Sequence, residues 1–208
     1  MAHYSISINL SGRKCVVVGG GAVAQRKAET FLDFGASVTI ISPDLTPTLR
    51  ELAGKELIEH IDDSFQPSYL DGAFLVVAAT DSIEVNKSVF KEAESRGLLV
   101  NVVDVPELCS FFVPAMVRRG DVVISVSTSG KSPAMARRIR EHLETQFGPE
   151  YGELAELLGE LRPEIKALYP DAADRNRAYR RILDSDVINL LAAGRTKEAV
   201  ERARECIL

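Results

Sequence analysis

The chain reads as an α/β protein: a Rossmann-like parallel sheet at the N-terminal end, then a small hairpin followed by a helix, then an all-helical C-terminal segment. Three observations predict this. A short apolar strand, Lys14-Cys15-Val16-Val17-Val18, runs straight into the glycine turn Gly19-Gly20-Gly21-Ala22-Val23-Ala24 and then into a helical segment. Continuous apolar runs recur down to about residue 103, separated by helical stretches, as strands buried on both faces do. From Tyr151 onward the strand-like runs stop, and Leu154, Leu157, Leu158 and Leu161 fall at helical spacing.

The glycine turn sets the first βαβ unit. Gly19, Gly21 and Ala24 occupy the three positions of a Gly-x-Gly-x-x-Gly/Ala fingerprint. Glycines there let backbone approach a pyrophosphate, and the N-terminus of the following helix faces its negative charge. A second strand is expected over residues 38–41, entered through the turn at Gly35, with a helix beginning at Leu45. Residues 57–61 suit a third strand, 74–79 a fourth and 98–103 a fifth, and a helix over 81–96 is closed by Gly97. Residues 111–118 and 122–127 flank Arg119-Gly120-Asp121 and read as an antiparallel hairpin. Ser132-Pro133 supplies an N-cap and first-turn proline for a helix through Phe147, which Gly148-Pro149 breaks. Beyond it, Arg162-Pro163 marks a kink, Gly194 a helix end, and further helices start near Pro170 and Thr196.

Composition narrows the function. With 208 residues, 46% hydrophobic and 26% charged, the chain has the make-up of a water-soluble globular protein able to bury a core. A net charge of −5 argues against nucleic acid as the main partner, which needs a basic face. Cys15, Cys109 and Cys206 lack metal-ligand spacing, so no metal site is expected and a reducing, cytoplasmic setting is. The first residues show no secretory signal pattern, and the longest apolar run, residues 73–79, is far short of a membrane span.

Three clusters could carry chemistry. After the second strand comes Ser42-Pro43-Asp44, where Asp44 either binds the cofactor ribose or caps the next helix. No arginine directly follows that strand, which favours NAD over NADP. Thr80 ends the fourth strand at the sheet's carboxyl edge and can line the cofactor, with helix capping by Asp81 or Ser82 as the alternative. In Asn101-Val102-Val103-Asp104-Val105-Pro106, Asp104 leaves the fifth strand at that same edge. A carboxylate there can take a proton as a hydride departs, or can simply form the turn before Pro106. Cys109 reads as a small packing residue rather than a nucleophile, and His3, His60 and His142 as surface or packing residues. The third cluster, Ser125 to Pro133 with Arg137, Arg138 and Arg140 beyond, is either a carboxylate or phosphate cradle or a polar loop before a solvated helix face.

Taken together, these motifs resemble the siroheme synthase N-terminal family, precorrin-2 dehydrogenases that sometimes also act as sirohydrochlorin ferrochelatases. The resemblance runs from Val16 through Gly19-Gly20-Gly21 to Lys27, through Ala78-Ala79-Thr80-Asp81, Asn101-Val102-Val103-Asp104, Phe111 and Pro114-Ala115, to Ser129-Gly130-Lys131-Ser132-Pro133 and Arg137. It implies NAD-dependent oxidation of precorrin-2 to sirohydrochlorin, and a homodimer with no nucleic acid or membrane partner. It implies a division into an NAD-binding domain (1–113), a hairpin-plus-helix dimerisation domain (114–147) and a helical C-terminal domain (148–208). Asp104 would be the catalytic residue; Ala22 and Val23, Pro43 and Asp44, Thr80 and Val102 would join Gly19 and Gly21 at the cofactor. The many carboxylates of precorrin-2 call for local donors such as Ser127, Ser129 and Lys131. Two further readings remain: an enzyme that also inserts ferrous iron, and a non-catalytic NAD-binding sensor or scaffold. A DNA-binding redox regulator fits the acidic balance poorly.

Overall fold

The computed structural model describes residues 4–208; His3 lies outside the described residues. The chain divides into two compact units, one ending at Val113 and the other running Pro114–Leu208.

The first unit is built on five parallel strands: β1 (Lys14–Val18), β2 (Ser37–Ile41), β3 (Glu59–Ile61), β4 (Leu75–Ala78) and β5 (Leu99–Val102), in the order β3-β2-β1-β4-β5. In β1 and β4 successive residues turn to opposite faces, and both faces are covered. Cys15, Val17, Leu75 and Val77 pack with Ala24, Ala28 and Phe31 of helix α1 (Ala22–Asp33) and with Leu49 of α2 (Pro47–Gly54). Val16, Val18, Val76 and Ala78 pack on the other face with Val89 and Ala93 of α3 (Ile83–Ser95). This double burial is why these strands read as unbroken apolar runs. Between β3 and β4 the crossover holds only a 3₁₀ turn, Pro67–Leu70, whose Leu70 is buried against that second face.

Several boundaries differ from expectation. The helix after β2 begins at Pro47, not Leu45, because Thr46 is its N-cap and accepts the Leu49 N–H through Oγ1. β3 is shorter than expected, since Leu57 is exposed and Glu56 turns the chain with φ 57°. α3 is capped by Ser82, and Gly97 follows it in a left-handed conformation.

The second unit opens with the hairpin β6 (Ala115–Arg119) and β7 (Val122–Val126) and helix α4 (Pro133–Gln146), whose N-cap Ser132 accepts the Met135 N–H. Four helices follow: α5 (Glu150–Leu168), α6 (Ala172–Leu183), α7 (Val187–Ala192) and α8 (Thr196–Ile207). Their buried leucines, isoleucines and alanines form a separate core. α5 continues past Pro163, where a kink was expected. Pro163 and Gly159, whose carbonyl loses its helical partner, both lie on the exposed side, so water can satisfy that group. α7, only six residues long, escaped the sequence reading.

Candidate active site

In an open parallel sheet, ligands bind beyond the carboxyl ends of the strands where the strand order reverses. Here that point lies between β1 and β4. A cleft of about 560 Å³ opens there, lined by the glycine turn, the loop after β2, residues 63–65 and the end of β4. That volume suits a small-molecule or cofactor site.

The three consecutive glycines do different work. Gly19 has φ +120°, and a Cβ there would stand 2.3 Å from the Ala79 carbonyl oxygen. A Cβ on Gly20 would stand 1.8 Å from the Asp44 carbonyl oxygen. These two are glycine so that the turn can lie against neighbouring backbone. Gly21 has neither need: its φ is −81°, and a Cβ there would meet nothing within 4 Å. It faces open space in the cleft as the N-cap of α1, with no side-chain cap and no acidic residue in the first turn. The first N–H groups of α1 are therefore left to a bound anion, which the helix dipole favours.

The loop after β2 is braced from three sides. Ser42 Oγ donates to the Asp44 carbonyl at 2.7 Å, and His60 Nε2 lies 2.9 Å from the Ser42 carbonyl. Thr46 N–H donates to the Gly20 carbonyl at 3.0 Å, and Thr46 Oγ1 donates to Gln25 Oε1 of α1 at 2.8 Å. With Thr46 as the cap, Asp44 is not needed for that role; it is exposed and lines the cleft beside Pro43. Asp63 lines the cleft as well, its carboxylate held by Tyr69 Oη at 2.5 Å and the Ser64 N–H at 2.7 Å. That hydrogen bond raises the pKa of the Tyr69 phenol, since ionisation would break it.

Thr80 sits at the end of β4 in the cleft wall, but its hydroxyl is already engaged. Oγ1 donates to Asn86 Oδ1 at 2.8 Å and accepts the Ser82 N–H at 3.2 Å. Asn86, nearly fully buried, also donates through Nδ2 to the Thr80 carbonyl at 2.9 Å. Thr80 thus presents its methyl group rather than a free hydroxyl, its backbone N–H and carbonyl both being held by Asn86.

Asp104 follows β5 in a tight turn. It is exposed and has φ +60°, a left-handed conformation that costs most L-residues about 1–2 kcal/mol and that Asp tolerates better than most. The carboxylate therefore stands at the sheet's carboxyl edge on a turn whose backbone is not relaxed, a feature that clusters at functional sites.

Of the cofactor residues expected from sequence, Gly19, Gly21, Pro43, Asp44 and Thr80 line the cleft. Ala22 and Val23 lie in the first turn of α1, and Val102 is buried in β5, its peptide groups engaged by Cys109. Gly20, Thr46, Asp63 and Asn86 were not anticipated. Asp63 carries a signal that could have found it, being an aspartate just past a strand's carboxyl end, as Asp104 is.

In the second unit, Ser127, Ser129 and Lys131 occupy the turn between β7 and α4. Ser129 has φ +52°, its N–H donates to Ser127 Oγ at 3.2 Å, and Lys131 N–H donates to the Thr128 carbonyl at 3.0 Å. Ser127 and Lys131 are exposed. Arg137 and Arg140 pair with Glu141 and Glu144 on their own helix, as a solvated helix face does.

The glycine turn, the reversal point and the free helix N-terminus define a dinucleotide-binding protein of the Rossmann class. A family model described as "Putative NAD(P)-binding" matches residues 6–115. Models described as "Sirohaem biosynthesis protein central" and "Sirohaem synthase dimerisation region" match residues 119–146 and 150–207. The chain belongs to the siroheme synthase family, in its N-terminal region. It is 39% identical over 208 residues to a siroheme synthase of Methylobacillus flagellatus, covering 100% of this chain and 44% of that protein. A siroheme synthase of Thioalkalivibrio sulfidiphilus is also 39% identical, covering 99% of this chain and 42% of the relative. The chain thus spans about two-fifths of the length of these curated relatives. Among solved structures, SirC, a precorrin-2 dehydrogenase, superposes with a TM-score of 0.78 at 27% identity, covering 98% of this chain and 100% of that one. The description of a dimerisation region falls on helices α5–α8, whereas the sequence reading attached that role to residues 114–147. Among the described residues no helix is long and apolar enough to cross a membrane, and no cluster of His, Cys, Asp and Glu could hold a metal ion.

Proposed function

We propose that this chain is an NAD-dependent precorrin-2 dehydrogenase. The observation that carries the reading is Gly21, a glycine that neither φ nor packing requires, at an uncapped helix N-terminus in a cleft at the sheet's reversal point. The end-to-end likeness to SirC supplies the substrate.

Bound NAD⁺ supplies the hydride acceptor. The N-terminal turn of α1 receives its pyrophosphate, and Asp44 binds a ribose hydroxyl. The cleft lining carries Asp44, Asp63 and Asp81 and, among the described residues, no lysine or arginine. A 2′-phosphate would add charge of the same sign beside those carboxylates, so NAD is favoured over NADP. Oxidation of precorrin-2 to sirohydrochlorin removes a hydride and a proton from the macrocycle. Asp104 accepts that proton or holds the macrocycle in place. Ser127, Ser129 and Lys131 donate to the substrate carboxylates. Ala22, Val23 and Val102 complete the cofactor surroundings through backbone or neighbouring contacts.

We take the domains as 1–113, 114–147 and 148–208, and the working state as a homodimer, which the family's dimerisation region supports. A cytoplasmic setting is consistent with three free cysteines. The test is an anaerobic absorbance assay with precorrin-2 and NAD⁺, with and without ferrous iron. NADH formation without iron is expected; its absence removes the dehydrogenase reading. Iron-dependent acceleration of siroheme formation would add chelatase activity, the second reading raised by the family resemblance.

A further inference from the structure

β5 is an edge strand, so the outward peptide groups of Val100 and Val102 have no strand beside them. After a 3₁₀ turn, Pro106–Leu108, the chain comes back along this edge, and side chains take the place of a ladder. Ser110 Oγ accepts the Val100 N–H at 2.8 Å, and the Ser110 N–H donates to the Val100 carbonyl at 2.8 Å. One step along, Cys109 Sγ accepts the Val102 N–H at 3.3 Å and lies 3.2 Å from the Val102 carbonyl and 3.4 Å from that of Val105. The buried Asn101 side chain reaches the same sulfur at 3.5 Å and donates to the Phe111 carbonyl at 3.0 Å.

These contacts close residues 102–109 into a loop pinned at its base by one sulfur atom, with Asp104 near its apex at φ +60°. A thiol suits the pin. Its lone pairs take the Val102 N–H while its single proton serves either carbonyl, and its size spans contacts too long for a hydroxyl. Burial raises the thiol's pKa, which keeps that proton in place.

We propose that Cys109 is a positioning residue: its sulfur, with Asn101 behind it, holds the turn that aims the Asp104 carboxylate. The inference rests on the proposed role of Asp104. Without the pin, the Val102 N–H loses its partner, the Val102 and Val105 carbonyls keep only the backbone N–H groups of Val105 and Leu108, and the left-handed turn has less to hold it against relaxation.

The test compares the full chain with Cys109→Ala, Cys109→Ser, Asp104→Asn and the double variant Cys109→Ala/Asp104→Asn. Turnover of precorrin-2 with NAD⁺ is measured beside NAD⁺ affinity and amide exchange. Cys109→Ala is expected to lower kcat about tenfold through misplacement of Asp104, with NAD⁺ affinity unchanged. Cys109→Ser, which keeps a donor and acceptor but is too short to reach all three groups at once, should recover only part of that loss. The double variant should be no slower than Asp104→Asn alone, because the sulfur acts only through Asp104. Amide exchange in Cys109→Ala should speed up at Val102 and Val105 and not across the sheet, which also shows that the variant folds. Wild-type kcat in Cys109→Ala, a matching loss of NAD⁺ affinity, sheet-wide exchange, or a further loss on top of Asp104→Asn would each overturn the inference. An inactive Asp104→Asn beside a fully active Cys109→Ala removes the pin alone; a fully active Asp104→Asn removes the role of Asp104 itself.

Discussion

Replacing each glycine of the turn in order by alanine separates packing from ligand binding. In Gly20→Ala the new Cβ would stand 1.8 Å from the Asp44 carbonyl oxygen, where ordinary contact begins at 3.4 Å. The obstacle is backbone, so the loop after β2 or the turn must move by more than an ångström. Overpacking of this kind costs roughly 2–4 kcal/mol. Gly19→Ala combines a 2.3 Å approach to the Ala79 carbonyl with φ +120°, and should cost at least as much. Gly21→Ala meets nothing within 4 Å. Alanine is a poorer N-cap than glycine by roughly 0.5–1 kcal/mol, but it restricts the unfolded chain by about 0.4–1 kcal/mol. The two offset, so the melting temperature should stay within about 2–4 °C of the parent. Cofactor binding should respond the other way. A methyl group at Gly21 holds a phosphate off the α1 N–H groups, and losing one charge-assisted hydrogen bond of about 1.5–3 kcal/mol weakens NAD⁺ roughly 10- to 100-fold. Calorimetric melting of the ligand-free chain and titration with NAD⁺ measure the two effects separately. Wild-type NAD⁺ affinity in Gly21→Ala would place the pyrophosphate elsewhere. A Gly21→Ala chain that melts as low as Gly20→Ala would refute the steric argument.

Three other perturbations follow from the same structure. Asp104→Gly should relieve the left-handed turn and leave the fold as stable or about 0.5–1 kcal/mol more so, yet abolish precorrin-2 oxidation; denaturant melts and the turnover assay check the pair. In the second unit, Gly152→Ala would put a Cβ 2.7 Å from the backbone of Arg119. The hairpin turn and the start of α5 should be forced apart at a cost of about 1–3 kcal/mol, read as a lower melting temperature. Burial pushes the Cys15 thiol from 9.0 up to about 11, so the folded chain holds this proton more tightly than the unfolded one. The stability it confers is intact below pH 9 and falls by about 1.4 kcal/mol per pH unit as pH rises toward 11. Chemical melts between pH 8 and 11 should show that slope flattened in Cys15→Ala, which lacks the titrating group but is less stable throughout.

Much of this was legible because it depends on near neighbours in the chain. The glycine turn, the cap at Ser132 and the helix end at Gly97 are written in residues a few positions apart. Asp44 and Thr80, which line the cleft, were named because each follows a strand at the sheet's carboxyl edge, and Pro43 beside them through the family resemblance. The same rule passed over Asp63, whose strand β3 is only three residues long and alternates weakly. Asp44 could not be separated from a helix cap until Thr46 was seen to hold that position through bonds to Leu49 and, across the turn, to Gln25. Cys109 does pack against the core, as expected, but its bonds to Val102 and Val105 were not legible because nothing local shows that β5 is an edge strand.

By itself the sequence determined the class of fold, the order of its elements, the place of the cofactor turn and the family resemblance, since periodicity and turn chemistry are local properties of a chain. Only the tertiary structure decided what each member of the turn is for. Gly19 and Gly20 are shaped by the Ala79 and Asp44 carbonyls, 60 and 24 positions away, while Gly21 is left open. It also decided that Thr80 spends its hydroxyl on Asn86 and that one sulfur bonds both ends of the turn that carries Asp104. Such assignments depend on which atoms meet across the sheet edge, and those distances exist only once the strands have paired.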